Sequence, residues 1–132
     1  MENRPSWKPW GATGPLARDI MSGRMNVPES LPPPPKGVKL ERELGGGFSA
    51  RIGMWPLALK VRMSQAHIEL KGIFRGKTIA LDALAMMTEN PMGLNFKFGQ
   101  EIFLFALPDA EIQVWLKGLI LRNLVTAAER DS

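Results

Sequence analysis

The chain has 132 residues, enough for one domain with a modest core. It contains no cysteine, which excludes disulfides, thiolate metal sites and cysteine nucleophiles. Its net charge of +4 is split evenly: five Lys/Arg against three Asp/Glu in residues 1–36, and twelve against ten thereafter, so neither part forms a basic block that names a polyanionic partner.

Composition changes sharply near Gly37. Eight of the eleven prolines fall in the first 36 residues and end in Pro32-Pro33-Pro34-Pro35. Four consecutive prolines favour polyproline II, a stiff spacer without internal hydrogen bonds. Residues 1–37 are expected to form a flexible arm that ends in this spacer, with a weak helical stretch over residues 16–25 whose apolar residues are too few to hold it alone. Within the arm, Trp7 and Trp10 are expected anchors for a partner or a second subunit, because large aromatic rings dominate interface energies.

Beyond the arm, residues 38–132 read as one β-rich domain. Leu44-Gly45-Gly46-Gly47 is a turn between strands at 38–43 and 48–55. Without a following Gly-Lys-Ser/Thr, this glycine triplet is no phosphate loop. Leu57, Leu59, Val61 and Met63 alternate with polar or small residues, the period-two pattern of a half-buried strand. Ile68 and Leu70 repeat it. Matching inward residues sets Met63 opposite Ile68, Val61 opposite Leu70 and Arg62 opposite Glu69. A turn at Arg75-Gly76 then brings Leu70 opposite Leu81. Residues 82–89 fit one helical turn or a bent strand, and Asn90-Pro91-Met92-Gly93 is a loop. Leu94, Phe96 and Phe98 form an inward row that pairs with the next strand, Phe96 with Phe103 and Leu94 with Phe105. The opposite side of that strand, Ile102, Leu104 and Ala106, is apolar as well and needs cover.

The helix predicted over 109–130 starts at Asp109, which caps the free N–H groups, with Glu111 at the positive end of the dipole. Ile112, Trp115, Leu116, Leu119 and Ile120 make one wide apolar stripe. Val114, Leu121 and Val125 make a second on a neighbouring face. Gly118 weakens the helix centre but admits close approach of another backbone.

These elements define an α+β fold: a small antiparallel sheet or partly open barrel of six to seven strands, capped by one C-terminal helix. The strands at 57–63, 66–72 and 74–81, the Asp82-Ala83-Leu84 kink, the hairpin through 94–98 and 101–107, and the helix from Asp109 resemble the bacterial pleckstrin-homology-like domain over residues 50–128. That resemblance implies a binding scaffold, often oligomeric, with peptide, protein or lipid partners. The basic residues do not gather in one loop as in phosphoinositide-binding members.

No catalytic set is expected. His67, the one histidine, lies on the outward side of a strand without metal-ligand companions or an orienting carboxylate. The serines lack a nucleophile-elbow context, and no pair of carboxylates is selected by spacing. No cofactor or metal is expected. The absence of an apolar leader, of cysteine and of an uninterrupted apolar run (residues 114–125 are broken by Lys117, Arg122 and Asn123) suggests the cytoplasm. The sequence thus favours a non-catalytic protein-interaction module, adaptor or inhibitor that binds a protein or itself. Its expected contacts are Trp7, Trp10, Ile102, Leu104, Val114, Leu121 and Val125. The alternative is a small nucleic-acid-binding regulator of phage or plasmid type, with Lys60, Lys71, Arg75, Lys77 and Lys97 on one anion-binding face. Peripheral attachment to anionic membranes is a further, less favoured reading.

Overall fold

Alternation of apolar and polar residues from Val38 onward produces two antiparallel sheets rather than one. In the computed structural model, residues 16, 19–20, 22–23, 27–54, 57–64, 66–72 and 75–131 are described. β1 (Val38–Arg42), β2 (Phe48–Met54), β3 (Leu57–Met63), β4 (His67–Lys71) and β5 (Gly76–Ala80) pair in sequence order as a five-stranded meander. A 3₁₀ turn, Leu81–Ala83, carries the chain into β6 (Leu84–Asn90), β7 (Gly93–Phe98) and β8 (Glu101–Ala106), a three-stranded sheet. The helix α1 (Ala110–Asp131) follows and packs on β6 and β7. The α+β class is as expected, with eight strands in the described residues, and the sheets do not close into a barrel.

The inward rows lie where the alternation places them. Met63 pairs with Ile68, Val61 with Leu70 and Arg62 with Glu69. Phe96 pairs with Phe103 and Leu94 with Phe105. One register differs from expectation: Leu70 lies opposite Lys77 rather than Leu81, and Ile79 faces Ile68. The hairpin closes earlier than Arg75-Gly76, because the Gly72 N–H donates to the Arg75 carbonyl at 2.7 Å. Leu81 is buried instead at the 3₁₀ turn. The shift moves the pairing by an even number of residues, so inward residues remain inward.

The core lies between the sheets and under α1. Phe96, Ile68, Leu70, Leu84, Leu94, Leu116 and Leu119 are fully enclosed. The whole predicted stripe of α1, from Ile112 to Ile120, is buried. Asp109 caps the helix as expected, its Oδ1 accepting from the Ile112 N–H at 3.1 Å. A buried Gln113 ties α1 to the sheet: Nε2 donates to the carbonyls of Asn90 and Leu107, and Oε1 accepts from the Asn90 N–H. Close backbone packing at the start of β7 requires glycine, because a Cβ on Gly93 would collide with the Phe105 carbonyl.

The described part of the proline-rich segment lies along α1. The Trp115 indole N–H donates to the Pro32 carbonyl at 3.1 Å, and Arg122 donates to the Pro28 carbonyl at 3.3 Å. Gly118 faces these prolines: a Cβ there would sit 3.3 Å from Pro28 Cγ and 3.9 Å from Pro32 Cγ. The missing side chain is what lets the segment lie so close. Further towards the N-terminus, Leu16 is buried and belongs to the core. No helix in the described residues is long and apolar enough to cross a membrane.

Candidate binding surfaces

Of the expected contact residues, Trp7 and Trp10 lie outside the described residues. Leu121 is buried at 3% exposure, so it serves the core and offers no outer contact. Val125 is half-buried, while Val114 is 59% exposed. The second stripe of α1 is therefore divided, with Leu121 in the core and Val114 facing outward.

The strand residues are different. Ile102 is 70% exposed, Leu104 is half-buried and Ala106 is exposed, all on the outer face of β8. Across that face, Ile102 pairs with Lys97, which pairs with Met86, itself 52% exposed. The outer apolar side chains of the small sheet are thus Ile102, Leu104 and Ala106 of β8 and Met86 of β6, separated by Lys97 and Asn95 of β7.

Among the described residues β8 is also an edge strand, bonded only to β7. The sheets end in four such edges among the described residues, and three of them carry a lysine or a bulge. β1 carries Lys39, Glu41 and Arg42; β5 begins Gly-Lys; β6 has an irregularity between Leu84 and Met86. β8 reads Glu-Ile-Phe-Leu-Phe-Ala, with no lysine, proline or bulge. A groove lies beside it, between β8 and the start of β5. Arg75 sits over the Phe103 ring at 5.1 Å, Lys77 over Phe98 at 5.4 Å, and Lys77 Nζ approaches Glu101 Oε1 at 3.4 Å.

The expected anion-binding residues fall in three places. Arg75 and Lys77 line this groove, Lys97 lies on the outer face of the small sheet, and Lys60 and Lys71 pair across β3 and β4 on the large sheet. They do not form one face. Sequence reasoning missed Lys39 and Arg51, which share a register row with Lys60 and Lys71. Pairing β1 to β2 through the glycine loop, where the Glu43 N–H donates to the Gly47 carbonyl at 2.9 Å, was the available signal.

Near that loop, Glu43, Arg62, Ser64, His67 and Glu69 line a small pocket. The Ser64 hydroxyl accepts from the backbone N–H groups of Ala66 and His67, so it stabilises a turn. Arg62 is held above its ordinary pKa by its hydrogen bond to Glu43 at 2.8 Å and by the charges of Glu43 and Glu69. Those are the parts of an exposed ion pair. Among the described residues, no three His, Asp or Glu side chains come together in a way that could hold a metal ion. No protein-family model, curated protein or solved structure matches this chain.

Proposed function

We propose that the protein is a non-catalytic interaction module that self-associates through β8. The observation that carries this is an edge strand with Ile102, Phe103, Leu104 and Phe105 in sequence, charged only at its first residue, Glu101, and without the lysine or bulge found on each of the other three edges among the described residues. An exposed apolar edge is a template for another strand, which satisfies its backbone groups and buries its outer face together. A second copy fits this edge because it supplies the same strand, and the small sheet would continue from one subunit into the next. Two antiparallel sheets with a C-terminal helix also suit the pleckstrin-homology-like reading, in which such domains serve as binding scaffolds.

Light scattering across a concentration series tests the proposal. The full chain is expected to approach twice its mass of 14.6 kDa as concentration rises. Ile102→Lys and Leu104→Lys, which place defending charges on the outer face, are expected to hold it at the single-chain mass without altering its circular dichroism. A wild-type chain that stays monomeric at the highest concentration overturns the reading.

A further inference from the structure

The outer face of the five-stranded sheet carries a row of like charges. Lys39 pairs with Arg51, Arg51 with Lys60, and Lys60 with Lys71. The row ends at Gly76, opposite Lys71. Four neighbouring strands thus each contribute one cation, and the row is about 14 Å long at the usual strand spacing. Lys39, Arg51 and Lys71 are exposed and Lys60 is half-buried. Among the described residues, none of the four forms an ion pair with a carboxylate. Like charges directly opposite one another destabilise a sheet, and here three such pairs occur in succession.

Beside the row the surface dips. Gly53, Ala58 and Gly72 contribute almost no side chain, and with Arg51, Lys60 and Lys71 they line an open trough. We infer that this trough binds the phosphodiester backbone of single-stranded nucleic acid. Stacked cations along a groove are what a linear polyanion requires, and a bound strand would relieve the repulsion between them. The neighbouring register row favours a narrow ligand over a broad one. It holds Glu41, Arg62 and Glu69, and Arg62 is already paired with Glu43. A strand lying along the cations avoids those carboxylates, whereas a membrane plane would press against them. This site lies on the other sheet from β8, so it stands or falls independently of self-association.

The test is fluorescence anisotropy with a labelled oligothymidylate of about 15 nucleotides, within the usual range for a single-strand groove. If all four cations contact phosphates, affinity should fall about 50-fold as monovalent salt rises from about 50 to about 200 mM, from a log–log slope near −2.8. The double variant Arg51→Thr/Lys60→Thr should bind more weakly at every salt concentration and lose only about sevenfold over the same range. Lys97→Thr, on the other sheet, should behave as wild type. Thermal unfolding shows whether the double variant is folded, and the wild-type salt slope stands as evidence if it is not. No binding at the lowest salt, a wild-type slope shallower than −1, or an effect of Lys97→Thr equal to that of the double variant would overturn the inference. So would cation-dependent sedimentation with phosphatidylserine vesicles in the absence of oligonucleotide binding.

Discussion

Replacing Gln113 tests how the helix is fastened to the sheets. The residue is 1% exposed and makes three hydrogen bonds: from the Asn90 N–H at 3.2 Å, to the Asn90 carbonyl at 2.8 Å and to the Leu107 carbonyl at 2.5 Å. Leucine has similar bulk but offers none of these. Water can reach Asn90, which is only half-buried, so two of the abandoned groups recover part of their loss. Leu107 is fully buried, and its carbonyl has no such recourse. With roughly 1 kcal/mol lost per bond and more for an enclosed acceptor, Gln113→Leu should cost about 2–4 kcal/mol. In a domain of this size that lowers the melting temperature by about 10 °C.

Gln113→Glu separates hydrogen bonding from packing. A carboxylate has no donor for the two carbonyl oxygens it would face, so the folded state favours the protonated acid and its pKa rises. The folded form then binds more protons than the unfolded form. The penalty is complete above the folded pKa and diminishes as pH falls through it towards the unfolded value of about 4.3. Urea unfolding followed by circular dichroism at several pH values should therefore show this variant gaining stability, relative to wild type, on acidification from neutrality. A Gln113→Leu loss below about 1 kcal/mol, or identical pH profiles for Gln113→Glu and wild type, would refute the reasoning.

Three further outcomes are expected. Gly93→Ala forces a methyl group into the Phe105 carbonyl and should cost about 1–3 kcal/mol, read as a lower urea midpoint. Asp109→Ala removes the cap on α1 and should cost about 1 kcal/mol in the same assay. Lys60→Thr relieves two like-charge pairs, so its melting temperature should exceed that of wild type at low salt, with the gain shrinking as salt screens the row.

What the sequence made legible follows from which interactions are periodic. The Met63–Ile68 and Phe96–Phe103 pairings were readable because alternation on two neighbouring strands leaves few registers that bury both. Asp109 was readable because capping is local. The turn after β4 was misplaced because Arg75-Gly76 carries stronger turn residues than the segment that turns, and the deciding Gly72–Arg75 hydrogen bond has no sequence signature. Gln113 was hidden for a related reason. A polar residue beside an apolar stripe reads as solvated, and its partners Asn90 and Leu107 meet it only after the hairpin and helix have packed. The proline-rich segment announced its stiffness but not its position against Gly118. Lys60 and Lys71 were paired from alternation, while Lys39 and Arg51 joined them only when the register was carried across two more strands.

Hydrogen exchange read by mass spectrometry at dilute and concentrated protein addresses the central claim most directly, because it reports on β8 itself. If two copies join along this strand, amides within Glu101–Ala106 gain protection as concentration rises, while those of the charged edge strand Val38–Arg42 do not change. Equal exchange of Glu101–Ala106 at both concentrations, or a gain confined to another edge, would contradict it.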